Sequence, residues 1–170
     1  MQRYLDLAKD DSKILELRFN NTVLRSNDQP ITRTEAQSAN QLSFPAGKPL
    51  SKYVAVSLDN DAPFPSFNFL SPILHSMQAD LKVSSPSSKV LTSNNPPIVN
   101  WIGPEPPPGS SPHRYLFLLY EQPDGFSSKD FGFPEGKPVG LWARIRWNLA
   151  TWEKKAKVGE PVAVAYFQSV

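Results

Sequence analysis

Proline constrains this chain more than any other residue. Eighteen of the 170 residues are proline, about twice the usual ~5% share. Inside a helix each costs ~3 kcal/mol, because it lacks the backbone N–H and its ring clashes with the preceding turn. Helical candidates are thus reduced to two windows, a short one over residues 32–39 and a stronger one near the C-terminus. Hydrophobic residues make up 39% and aromatics 11%, which is folded rather than low-complexity composition. The prolines therefore read as loops between strands.

Residues 13–19 alternate, with Leu15, Leu17 and Phe19 on one face and Glu16 and Arg18 on the other. Residues 53–58 alternate as well, grouping Val54, Val56 and Leu58. Residues 114–120 are apolar on both faces after the first, the pattern of a central strand covered on both sides, and Pro123-Asp124-Gly125 ends the run with turn chemistry. Residues 161–170 set Val162, Val164 and Tyr166 against Ala163, Ala165 and Phe167. Residues 148–157 have helical spacing, with Leu149, Trp152 and Ala156 on one stripe, Asn148 as N-cap and Gly159 as stop. Residues 82–100, rich in Ser, Asn and Pro, read as an exposed excursion. With no repeat and no linker, the expectation is a mostly-β single domain over residues 1–170.

Cysteine is absent and histidine occurs twice, at His75 and His113. That excludes thiol catalysis, disulfides and Cys-based metal centres, and neither a metal nor a cofactor is expected. A net charge of +2 gives no drive toward nucleic acid. No apolar stretch is long enough to span a bilayer, and no apolar leader follows Met1, so the expected location is cytoplasmic.

Two stretches carry candidate chemistry. In Leu58-Asp59-Asn60-Asp61-Ala62-Pro63 two carboxylates stand at i and i+2 at a strand end. They read either as an acid pair on one face or as Asx-turn caps. In Trp101-Ile102-Gly103-Pro104-Glu105-Pro106-Pro107-Pro108-Gly109 a stiff loop runs toward His113-Arg114-Tyr115 at the start of a strand. His113 and Tyr115, two apart, share a face and can both donate to an anion, while Arg114 points away.

Together these residues resemble the phosphatidylethanolamine-binding protein family. Asp59-Asn60-Asp61-Ala62-Pro63 with His75 downstream is similar to its acidic box and following histidine. Gly103-Pro104-Glu105-Pro106-Pro107 leading to His113-Arg114-Tyr115 is similar to its second box. Trp147 to Trp152, Gly159, Pro161-Val162-Ala163 and Tyr166-Phe167-Gln168 look like its last helix-and-strand unit. The resemblance implies a large central antiparallel sheet with a smaller sheet packed on it, a short helix near the C-terminus and an anion pocket at one end. By position the ligand-binding residues would be Asp59, Asp61, Pro63, His75, Gly103, Pro107, His113 and Tyr115, with His75, His113 and Asp59 as catalytic candidates.

The chain also departs from the family pattern. Asn60 stands for a proline, Pro72-Ile73 for an acid and a tryptophan before the histidine, and Glu105 for a small residue. The sequence reaches Val170 soon after the tail strand, whereas mammalian members carry a further helix over the pocket. These changes imply a wider, more apolar pocket, with Phe64, Phe67 and Phe69 as new lining. The implied function is a module binding a small anion, phosphate headgroup or carboxylate, with a possible regulatory role toward a protein partner. An enzyme of fungal secondary metabolism acting on carboxylate or anhydride substrates is the alternative. A peptidase inhibitor is a third.

Overall fold

In the computed structural model, which describes residues 2–24, 27–38, 40–85, 87–134 and 137–170, the proline-rich segments connect strands rather than helices. The strands are β1 (Glu16–Phe19), β2 (Thr22–Leu24), β3 (Gln29–Pro30), β4 (Asn40–Ser43), β5 (Tyr53–Asp59), β6 (Ile73–Val83), β7 (Leu91–Thr92), β8 (His113–Glu121) and β9 (Ala163–Ser169). The helices are α1 (Gln2–Leu7), α2 (Arg33–Ala36) and α3 (Leu149–Ala156). A six-stranded sheet runs β3-β9-β8-β5-β6-β7 and a three-stranded sheet runs β2-β1-β4. All the pairings are antiparallel except that of β3 with β9.

The expected fold class holds, and β8 is the central strand that its apolar run predicts, paired to β5 on one side and β9 on the other. Its side chains divide by parity. Tyr115, Phe117 and Leu119 join Leu17, Phe19, Ala165 and Phe167 beneath the small sheet. Leu116, Leu118 and Tyr120 join Val54, Val56, Leu149 and Trp152 beneath the helices. Each face of the large sheet thus has its own apolar layer, which is why β5 is buried along its whole length.

α3 forms as its sequence predicts. Asn148 accepts from the Thr151 N–H at 2.9 Å, Lys157 closes the helix in the left-handed region, and Leu149, Trp152 and Ala156 are its buried stripe. α2 is one turn held by a capping box between Thr32 and Glu35. Of the predicted 32–39 window, Ala39 lies outside the described residues.

Four points differ from expectation. α1 was not anticipated, although no proline precedes Pro30; Tyr4 buries its ring there and donates its hydroxyl to Glu153 on α3 at 2.8 Å. β6 was not anticipated either. The excursion over 82–100 is only partly one: Lys82 and Val83 end β6 against β7, Leu91 and Val99 are buried, and Val99 bridges to Met77. The first strand is also shorter than expected, since residues Asp11–Lys13 form a 3-10 turn.

Candidate functional site

One end of the large sheet brings together the end of β5 and the starts of β6 and β8. The register sets Asp59 opposite Ile73 on one side and Tyr115 on the other. Two loops lie along the open edge of β6. The Ile102 N–H donates to the His75 carbonyl at 3.1 Å, and the Leu74 N–H donates to the Arg144 carbonyl at 3.0 Å. Between these elements lies a cavity of about 380 Å3. Asp59, His75, His113 and Arg144 are in its wall, with Glu105 at its rim. The rest is mainly apolar: Ala62, Pro63, Leu70 and Ile73 from one side, Ile102, Gly103 and Pro107 from a second, Val139, Leu141 and Ile145 from a third.

His113 is buried, and both of its ring nitrogens are engaged. Nδ1–H donates to Asp59 Oδ2 at 2.9 Å, while Asp59 Oδ1 accepts the Asp61 N–H at 2.8 Å. Nε2 lies 3.0 Å from Ser110 Oγ, whose own proton goes to the Ser111 carbonyl at 2.9 Å. With its proton directed to that carbonyl, Ser110 Oγ can accept from Nε2, an arrangement that suits a doubly protonated, positively charged ring. Burial opposes that charge, but the hydrogen bond and the field of Asp59, with Asp61 and the Pro63 carbonyl adding to it, outweigh burial and raise the pKa above the usual histidine value.

His75 has the opposite character. Its Nδ1–H donates to the Ile102 carbonyl at 2.7 Å, and among the described residues its Nε2 has no partner. Burial lowers its pKa more than Asp59 raises it, and the nearby charges of Arg144 and His113 lower it further. The ring is neutral and Nε2 presents a lone pair. One histidine is a donor and the other an acceptor.

Arg144 is fully buried and faces no carboxylate. Nε donates to the Val139 carbonyl at 3.0 Å, one terminal nitrogen to the Leu74 and His75 carbonyls at 3.1 and 3.0 Å, and the other to Asn100 Oδ1 at 2.8 Å. Burial lowers its pKa, yet a guanidinium does not lose its proton in a protein. A buried positive charge therefore stands in the cavity wall.

Six of the eight expected ligand residues border this cavity: Asp59, Pro63, His75, Gly103, Pro107 and His113. Asp61 and Tyr115 do not. Asp61 turns away and receives the Arg114 backbone N–H at 2.8 Å, its Nε at 2.8 Å and a terminal nitrogen at 2.6 Å. The acid pair on one face is thereby excluded, because the turn after β5 sends the two carboxylates to different partners. Tyr115 is packed between the histidines, 5.1 Å from the His75 ring and 6.4 Å from the His113 ring. Its hydroxyl is buried, does not border the cavity and makes no well-formed hydrogen bond among the described residues, although the Glu105 backbone lies close enough to act on it.

Phe64, Phe67 and Phe69 do not line the cavity either; they are exposed on the loop beside it, with Phe67 and Phe69 in ring contact at 5.0 Å. Ile73, where the family pattern has tryptophan, is in the wall. Glu105 turns outward and pairs with Arg33 of α2 at 2.8 Å. The wall residues that the sequence did not reveal are Leu70 and, from the loop before α3, Val139, Leu141, Arg144 and Ile145, and no local signal marks them. The last four arrive by the long-range pairing of the loop with the start of β6.

Comparison with known proteins places the chain and its fold. The sequence profile described as phosphatidylethanolamine-binding protein matches residues 24–167. The chain belongs to the phosphatidylethanolamine-binding protein family. The carboxypeptidase Y inhibitor of Saccharomyces cerevisiae is 26% identical, over 88% of this chain and 81% of that protein. The crystal structure of carboxypeptidase Y inhibitor complexed with its cognate proteinase aligns with a TM-score of 0.74 at 25% identity, over 93% of this chain and 83% of that one. The phosphatidylethanolamine-binding protein from Plasmodium vivax shares the fold at a TM-score of 0.71 and 17% identity, over 91% and 83% of the two chains. Phomoidride biosynthesis cluster protein N of Talaromyces stipitatus is 31% identical over 56% of this chain and 48% of that protein. No helix among the described residues is long and apolar enough to cross a membrane.

Proposed function

We propose that this family member is a binding module whose cavity takes a small anionic group, a carboxylate or a phosphate headgroup, through the Nε2–H of His113. One observation carries the reading: a buried imidazole, its charge favoured by Asp59, borders a mainly apolar cavity and has its Nε2 on an exchangeable serine hydroxyl. An anion oxygen replacing Ser110 Oγ gains a charge-assisted hydrogen bond in surroundings of low dielectric. Asp59 acts behind the ring, fixing its orientation and its charge, and does not meet the ligand.

The test is calorimetric titration of acetate and inorganic phosphate against wild type and His113→Ala. Loss of the contact should weaken binding by about 1.5–3 kcal/mol, the range for a hydrogen bond to a charged group. Wild-type affinity should also fall as pH rises through the raised pKa of His113. Equal affinity in both proteins would sink the reading.

A second reading, an enzyme acting on carboxylate or anhydride substrates, is favoured by the contrast between the two histidines. The bare Nε2 of His75 and the doubly protonated ring of His113 set a base and an acid in one cavity wall. The relationship to phomoidride cluster protein N keeps that reading open. An enzyme loses rate on His75→Gln, with a pH profile near neutrality. A binding module has no turnover to lose.

A further inference from the structure

The charges buried around the cavity do not cancel. Asp59 contributes one negative charge and the His113 ring one positive, and the two form a 2.9 Å ion pair. Asp61 is neutralised separately by Arg114, on the far side of the turn. Glu105 is outside, paired with Arg33 and with most of its side chain in solvent. His75 is kept neutral by its burial, and among the described residues its Nε2 has no acceptor to hold a second proton. Arg144 remains, a guanidinium with no accessible surface that donates to carbonyl and amide oxygens and to no carboxylate among the described residues. The interior thus carries one uncompensated positive charge, held where solvent does not screen it.

Resting on the anion-binding reading above, we infer that the ligand is an apolar monocarboxylate, its carboxylate on His113 and its hydrocarbon body in the cavity, in preference to a dianionic phosphate. Three features argue together. A single negative charge balances the interior, whereas a dianion leaves one buried charge unpaired, at a cost an apolar wall does not offset. The volume, about 380 Å3, is roughly a dozen times a water's ~30 Å3 share, far more than acetate or phosphate fills. Beyond His113, the wall offers a ligand Leu70, Ile73, Ile102, Val139, Leu141 and Ile145, aliphatic side chains suited to methylene groups. Ile73 in particular stands where an aromatic side chain would narrow the space.

Arg144 acts here as a positioning charge. Although it is part of the wall, its guanidinium has no exposed surface and its donors go to protein oxygens, so its effect is the sign of the field in the cavity. Through its bonds to the Leu74 and His75 carbonyls it also holds the start of β6, so its replacement has a structural effect that has to be separated from the electrostatic one.

The test is a binding series at pH 7.5 on the full chain: acetate, hexanoate, octanoate, octanol, octyl phosphate and inorganic phosphate, each by calorimetry. Affinity should rise about threefold per added methylene from acetate to hexanoate, as apolar surface leaves water, and octanoate should exceed both octanol and octyl phosphate by at least about tenfold, the least expected for one charge-assisted bond. Arg144→Gln should lower the octanoate-to-octanol ratio and Arg144→Lys should restore it, a readout that a purely structural loss does not move. If Arg144→Gln does not fold, the wild-type series decides alone. Acetate and phosphate binding that depends on His113 but gains nothing from chain length, or a preference for octyl phosphate, overturns the monocarboxylate inference and leaves the anion site standing. No binding of any anion overturns both.

Discussion

Two residues at the start of β8 show how one position along a strand separates a packing role from an ion-pair role. Tyr115, expected to donate to a ligand, has its hydroxyl buried without a well-formed hydrogen bond among the described residues, and burial, reinforced by the nearby Asp59 charge and only partly opposed by the Glu105 backbone, raises its pKa well above the usual tyrosine value. Removing an unsatisfied buried hydroxyl returns its desolvation cost, so Tyr115→Phe should leave stability unchanged or raise it by about 1 kcal/mol and leave anion affinity untouched. The Arg114 guanidinium, on the opposite side, gives Asp61 two of the three N–H donors reaching that buried carboxylate, the third being the Arg114 backbone. Arg114→Ala should therefore cost about 2–3 kcal/mol, below the ~3–5 typical of a fully buried pair because the guanidinium is partly in solvent. Urea denaturation of both variants, with acetate titration beside it, checks the pair. A large stability loss in Tyr115→Phe together with loss of acetate binding would restore the tyrosine as a ligand residue.

At the level of elements, Glu153 joins three of them. Its Oε1 accepts the hydroxyls of Tyr4 on α1 and Tyr120 on β8, both at 2.8 Å, while the Arg3 guanidinium stands 3.4 Å away. Burial, then the bond to Glu153, pushes the Tyr4 hydroxyl up to about 12. Glu153→Ala strands the buried Tyr120 hydroxyl and should cost about 1.5–3 kcal/mol, with Glu153→Gln recovering part of the loss because the amide oxygen still accepts. Amide exchange should show α1 released first; unchanged protection over Gln2–Leu7 would count against the link. The same elements explain what was legible in the sequence. α3, β8 and β9 were readable because cap, turn and alternation are local, and the large and small sheets followed from the family boxes. β6 was missed although Met77, Ala79 and Leu81 alternate with Gln78, Asp80 and Lys82, because the apolar run around His75 breaks the phase. His75, His113 and Asp59 could be named from the motifs. Arg144 could not, since its place depends on a backbone pairing with Leu74, seventy positions away in the chain.

For the whole molecule the two histidines act on stability in opposite directions. His75 is buried neutral, and burial lowers its pKa against the opposing pull of Asp59, with the Ile102 carbonyl, Arg144 and His113 as its other neighbours. In the unfolded chain it takes up a proton near pH ~6.5, so its contribution is complete above that pH and is lost as pH falls below it. His113 faces Asp59, Asp61, the Pro63 carbonyl and Ser110, and despite its burial its folded pKa is raised. Its contribution is complete below about pH 6.5 and is lost as pH rises through the folded value. The two contributions together make stability greatest near pH ~6.5, with a slope on each side. The lowered carboxylate of Asp80, held by Gln122, Asn95 and Lys52 against its partial burial, acts in a separate window, since its stabilisation is lost only as pH falls through the acidic range below about 4. Urea denaturation from pH 5 to 8.5 should trace the dome, with His75→Gln flattening the acid side and His113→Gln the alkaline side. A saturating carboxylate stabilises the charged His113 ring further and should carry the alkaline shoulder to higher pH while leaving the acid slope in place. A profile that neither variant alters, or a shoulder that the carboxylate does not move, would show that the ring charge is linked neither to folding nor to the cavity.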